Sequence, residues 1–230
     1  MEHCDSSAGL SNTHTQRLWV KSNTQFDSLG HSILCYILSY LFICNFSNEW
    51  KMKDANSYFS YFHTLLSYRI IFWGNSRLSA NIFKIQKRFI RIITNKGKCD
   101  SCQQLFKTLQ ILTVPSQYIY SLLVFVIKNR GLFLSNSEIH NINTRYNHNF
   151  HLTSTNLTIV QKGVQYSGSK VFNYLPENIK IFSHDLKHFK SVLKNFLNEQ
   201  TFYSLVEFYQ LTSNWPWLIL LLVFLTLNYL

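Results

Sequence analysis

Seven glycines and three prolines punctuate 230 residues. That is too few for the many tight reversals of a strand-rich architecture. The same chain is 47% hydrophobic and 16% aromatic, enough to close a packed core, which argues against global disorder. The pairing of few chain-breakers with much apolar surface predicts a mainly α fold. At this length it makes a helical bundle of one domain or two small ones.

The spacing of apolar residues locates the helices. From Ser79 to Thr94, Ile82, Ile85, Phe89, Ile92 and Ile93 fall on one face at about 100° per residue. Phe83 and Ile90 widen that face, and Lys84, Lys87, Arg88 and Arg91 gather opposite it. Asp185 to Leu197 repeats the design, with Leu186, Phe189, Leu193, Phe196 and Leu197 apolar and Lys187, Lys190 and Lys194 basic. Asp185 falls in the first turn, where the helix dipole favours an acid. Two readings of such cationic ridges stand. They track a phosphate backbone, in sequence-independent and salt-sensitive contact, or they are solvated faces.

Ser116 to Lys128 is apolar almost all round and is expected to be the buried central helix of the bundle. Pro115 suits its first turn and Gly131 lies past its end as a stop. Ser101 to Leu109 reads as a short helix capped by Asp100 or Ser101. Lys162 to Leu175 reads as another, ended by Pro176. Between them Arg130 to Val160 is polar and rich in Asn, His and Thr, as a long exposed loop or extended segment would be.

Composition divides the chain further. Residues 1–30 read as disordered, and residues 31–55 as an apolar segment with a linker. Residues 56–130 form a first helical region, 131–160 a polar loop, 161–208 a second helical region and 209–230 an apolar tail. Ile33–Phe46 is 14 residues long, short of the roughly 17–25 that a spanning helix needs. Trp215–Leu230 (WPWLILLLVFLTLNYL) is 16 residues long and could act as a tail anchor. One function class is therefore a small membrane-associated protein held by residues 215–230.

Charge points to another class. Residues 56–208 carry eighteen Lys and Arg against six acids, within a whole-chain balance of +11. Such a surplus favours polyanions, RNA or DNA above all. The five cysteines (Cys4, Cys35, Cys44, Cys99 and Cys102) are odd in number and irregularly spaced, so no disulfide framework is implied. Cys99 and Cys102 have C-x2-C spacing but no second ligand pair for zinc. They read as reduced thiols at a helix start, which suits an intracellular location, cytoplasm or nucleus. The sequence offers no nucleophile–base pair, Gly-rich phosphate loop or metal triad, so neither catalysis nor a cofactor is expected.

Three stretches carry a resemblance. The first is Leu65–Ser76 (LLSYRIIFWGNS), running on to Ile85–Ile93 (IQKRFIRII). The second is Asp100–Phe106 (DSCQQLF), then Leu109–Pro115 (LQILTVP) and Tyr118–Tyr120 (YIY). The third is Ile139–Arg145 (IHNINTR), then Gly168–Pro176 (GSKVFNYLP) and the Phe189-Lys190…Leu193-Lys194 pattern. Together residues 56–208 resemble the region just after the polymerase core in jockey-like non-LTR retrotransposon reverse transcriptases. The resemblance implies a thumb-like helical part followed by a C-terminal extension. A thumb grips the template–primer duplex, so Lys84, Lys87, Arg88 and Arg91 are expected to contact phosphates, with Phe72 and Trp73 as packing anchors.

The chain departs from the family at Arg69, where such sequences commonly have Gly, and at Asn95, where a Gly-containing turn is usual. Ile142 replaces a common aromatic. A reverse transcriptase also needs paired Asp carboxylates to hold two Mg²⁺ ions about 3.5–4 Å apart, and no Asp-Asp pair occurs in the sequence. The resemblance thus implies a catalytically inactive fragment of an RNA-directed DNA polymerase, with non-specific binding to RNA or DNA duplexes. A thumb parted from its palm would expose apolar surface.

Overall fold

The computed structural model describes residues 62–97, 99–140 and 148–212. Helix takes up 69% of the described region and no strand forms there, so the fold is mainly α. In chain order the helices are α1 (Thr64–Ser67), α2 (Ile70–Trp73), α3 (Ser79–Ile93), α4 (Gln103–Thr108), α5 (Val114–Lys128), α6 (Asn136–His140), α7 (Thr158–Gln161), α8 (Val164–Asn173), α9 (Glu177–Lys180) and α10 (Leu186–Gln200). Residues 205–212 are helical as well.

The centre of the bundle is α5. Thr113 stands at its N-cap with extended backbone and accepts a hydrogen bond from the Ser116 N–H, and Pro115 occupies the first turn. Both are expected helix starters, because the first N–H groups lack partners within the helix. Tyr118, Ile119, Leu122, Leu123 and Val126 are fully buried. At about 1.5–3 kcal/mol for each large apolar side chain taken out of water, this one helix organises the core. Helices α1, α2, α3, α8 and α10 all pack on it.

Two glycines let neighbours approach α5 closely. A Cβ on Gly74, just after α2, would lie 2.3 Å from Cδ2 of Tyr118. One on Gly168, within α8, would lie 2.8 Å from Cγ2 of Val126. Trp73 is buried beside the first contact and its indole N–H donates to the Tyr68 carbonyl. That agrees with its reading as a packing anchor; Phe72 is half-buried and packs against the core.

Several boundaries differ from expectation. Gly131 does not stop α5, because it lies in a 3₁₀ turn at Arg130–Leu132. The C-cap is Asn129, whose side-chain amide donates to the Phe125 carbonyl. Helix α4 begins at Gln103 with no side-chain cap. The Asp100 carboxylate turns back instead to accept from the Gly97 N–H. Asp185 is the N-cap of α10 rather than a first-turn residue, accepting from the Lys187 and His188 N–H groups. Pro176 opens α9 as its N-cap.

The expected loop at 131–160 is partly built into the fold. Ser135 and Phe150 form an antiparallel bridge. Asn173 clamps Phe150 from both sides, accepting from its N–H and donating to its carbonyl. Phe133 and Phe150 are buried, and the Phe133, Phe150 and Phe172 rings pack in series at 5.5 and 4.6 Å. The boundary expected at 208/209 falls inside the 205–212 helix, where Phe208 is buried and Tyr209 packs on Tyr174.

The segments 1–30 and 31–55, most of Ile139–Arg145, and the apolar run 215–230 lie outside the described residues. Among the described residues no helix is long and apolar enough to cross a membrane.

Gly74→Ala should destabilise the fold by about 1–3 kcal/mol, because the added methyl overpacks a fully buried ring. Gly131→Ala, with open space around its Cα, should be close to neutral. Denaturant unfolding of the two variants measures the contrast.

Candidate nucleic-acid interface

Helix α3 carries the main group of predicted contact residues. Its buried arc is Ile82, Phe83, Gln86, Phe89 and Ile90. Gln86 lies at the middle of that arc, and Ile92 is half exposed at 50%. The apolar face is therefore rotated from the one expected, which counted Ile92 and left out Gln86. The reason is that the Gln86 side chain has built-in partners. Its amide nitrogen donates to the Leu112 carbonyl and its amide oxygen accepts from the Val114 N–H, each at 2.9 Å. A buried amide with both ends satisfied sits in a core at little cost.

The end of α3 is closed by Asn95 in left-handed conformation (φ 53°). The Lys96 N–H reaches back to the Arg91 carbonyl and the Asn95 N–H to that of Ile92. This hydrogen-bond pair is a Schellman motif.

The four cations of α3 divide into two kinds. Lys84 and Arg88 are exposed, and among the described residues neither makes an ion pair. Lys87 and Arg91 are half-buried and committed to neighbours. The Lys87 ammonium lies 4.7 Å from the Phe83 ring centre and 5.4 Å from that of Tyr203. The Arg91 guanidinium donates two hydrogen bonds to the Asp100 carbonyl. Among the described residues the one salt bridge is Lys180 to Glu177, so no described carboxylate is within ion-pair distance of the α3 ridge.

Lys84 and Lys87 also line a cleft of about 440 Å³. Gly74 and Pro115 lie along it, Ala80 borders it on α3, and Tyr203 and Ser204 form the opposite wall. Arg88 and Arg91 are not part of its lining. Tyr203 packs edge-on against Phe83 at 5.0 Å. Burial, chiefly, raises the pKa of its phenol above the ordinary tyrosine value. The Glu207 carboxylate accepts from the Tyr203 N–H and the Ser204 hydroxyl from the Glu207 N–H. The Ser204 bond is the N-cap half of a capping box, and Glu207 reaches one residue further back, to Tyr203; together they hold the wall at the start of the 205–212 helix.

The second predicted group lies on α10. Lys187 and Lys194 are exposed and Lys190 is half-buried; none of the three lines the cleft. Beneath them Phe189, Leu193, Phe196 and Leu197 are buried, as the spacing predicts. Lys194 is close enough to His63 to act on it. Burial first, and the Lys194 charge second, lower the His63 pKa below its ordinary value. Of the two thiols, Cys99 is exposed and Cys102 is buried, its S–H directed to the Lys87 carbonyl.

Tyr203 and Gln86 escape a sequence reading. Tyr203 lies far along the chain from Phe83 with no shared period. Gln86 is a polar residue that spacing assigns to neither face. Ser204 followed three residues later by Glu207 is a legible capping-box signal.

No protein-family model, curated protein or solved structure matches the chain.

The lowered His63 pKa makes stability pH-dependent. A histidine that resists protonation in the fold contributes stability above its unfolded value of 6.5. That contribution is lost as pH falls through the lowered folded value. His63→Gln should therefore flatten the acid side of the stability curve relative to the parent. Urea midpoints for both proteins on either side of that value measure the difference.

Proposed function

We propose that the described helices form a nucleic-acid-binding module related to the thumb and post-thumb region of jockey-like non-LTR retrotransposon reverse transcriptases. It grips an RNA or DNA duplex without sequence preference through Lys84, Lys87, Arg88 and Arg91. Lys187, Lys190 and Lys194 supply a second, weaker set of phosphate contacts. The module binds and does not catalyse, needs no cofactor, and works inside the cell. The observation that carries this reading is the α3 ridge, four cations on one helix with no carboxylate paired to any of them among the described residues.

Two backbone features support the kinship. Arg69, where the family commonly has glycine, and Asn95, where a Gly-containing turn is usual, both hold left-handed conformations, with φ 48° and 53°, as do Gln110 and Thr201. L-residues resist that region and glycine does not. Gly74 and Gly168, within the stretches that carry the resemblance, sit where a Cβ would strike α5.

Anisotropy titration of the full chain with an RNA–DNA duplex across a salt series tests the binding. With the four α3 contacts alone, log affinity should fall against log salt with a slope of about −3 to −4, and contacts from α10 should steepen it toward about −6. Lys84→Gln with Arg88→Gln should make that slope about 2 units shallower. A salt-independent affinity, or none at all, would refute the reading.

The kinship makes its own prediction. Arg69→Gly should stabilise the chain by about 1 kcal/mol through relief of the left-handed strain. Asn95→Gly should help by less, since Asn tolerates that region better. Thermal unfolding of each variant measures the gain, and a clear loss at Arg69→Gly would count against glycine as the family residue there.

A further inference from the structure

The cleft beside α3 shares Lys84 and Lys87 with the duplex-binding ridge and adds aromatic surface that the ridge does not use. Of the ridge, Lys84 and Arg88 are exposed. Lys87 is different: it is half-buried and its ammonium is held over the rings of Phe83 and Tyr203. The cleft thus sets aromatic and apolar surface beside two ammonium groups. Among the described residues no carboxylate lines it. On the wall formed by Tyr203, the Glu207 carboxylate is engaged by the Tyr203 N–H. Its volume of about 440 Å³ falls in the range of about 300–1,000 Å³ typical of small-ligand sites.

A ligand that matches all of this has one planar part that stacks and one anionic part joined to it through a short spacer such as a sugar. That describes a nucleotide unit whose base is not paired. A paired base is already stacked in its helix and cannot enter. The cleft also opens on the same helix as Arg88, one turn beyond Lys84. A strand whose phosphates follow α3 therefore arrives at the cleft in line.

Resting on the duplex-binding reading above, we propose that this cleft takes one unpaired nucleotide at the end of a bound duplex. Its base lies against the partly exposed ring of Tyr203 and its phosphate between Lys84 and Lys87. Stacking on an aromatic side chain is tolerant of base identity, so the site selects the single-stranded end and not a sequence.

The test compares two probes on the full chain: a blunt RNA–DNA duplex, and the same duplex with a short single-stranded overhang carrying 5-bromouracil. The parent should bind the overhang probe about ten-fold more tightly than the blunt one. Ala80→Trp, which fills the mouth of the cleft from an exposed position, should abolish that ratio while circular dichroism remains that of the parent. Ultraviolet irradiation of the parent complex, which needs no variant, should cross-link the bromouracil at Tyr203 or Phe83. Equal affinity for both probes, or a cross-link confined to α10, would overturn the cleft and leave duplex binding standing. A ratio that survives Ala80→Trp would overturn it as well. Binding to neither probe would remove the duplex reading itself, and the cleft proposal with it.

Discussion

The fold depends on a knot of buried hydrogen bonds at the entry to α5. Gln86 bridges the Leu112 carbonyl and the Val114 N–H, and between them Thr113 donates its hydroxyl to the Phe202 carbonyl while capping Ser116. Gln86 and Thr113 are both wholly buried. The knot therefore ties three remote pieces of chain: α3, the start of α5, and the segment that leads into the 205–212 helix. In a low-dielectric interior each of these bonds is costly to leave unmade. Apolar packing pulls the three pieces together without direction, and the knot sets their register.

That register has a functional consequence. The cleft is walled by α3 on one side and by Tyr203 and Ser204 on the other, with Pro115 along it. Each wall is one or a few residues from a partner in the knot. The site is thus anchored beside wholly buried hydrogen bonds, with Lys84 exposed and Lys87 half-buried at its edge. Further along α5 the same logic holds with different means. Gly74 and Gly168 admit their helices to van der Waals contact, and the Phe133, Phe150 and Phe172 rings close the far end.

What could be read from the sequence follows from how local each cause is. The central helix was legible because Tyr118 to Val126 is apolar on every side, and only a buried helix tolerates that. The basic ridges were legible because i, i+3, i+4 and i+7 spacing is a property of one helix. Ile92 was placed on the wrong face because counting apolar residues cannot register a polar side chain with waiting partners, and Gln86 turns the helix toward them. Phe133 and Phe150 were assigned to a loop because their partner, Phe172, lies beyond a polar stretch. Tyr203 was missed for the same reason: its contacts with Phe83 and Lys87 are made across the fold. The left-handed backbone of Arg69 and Asn95 is not legible from spacing, because L-residues rarely adopt it.

The most direct test of this account is denaturant unfolding of Gln86→Leu, a change that keeps the volume and removes both hydrogen-bonding ends of the amide. The account predicts a loss of about 2–4 kcal/mol, because a buried carbonyl and a buried N–H are left unpaired. A stability equal to that of the parent, or higher, would contradict it. Apolar packing alone would then hold α3 on α5, and the polar knot would not set the position of the basic ridge or of the cleft.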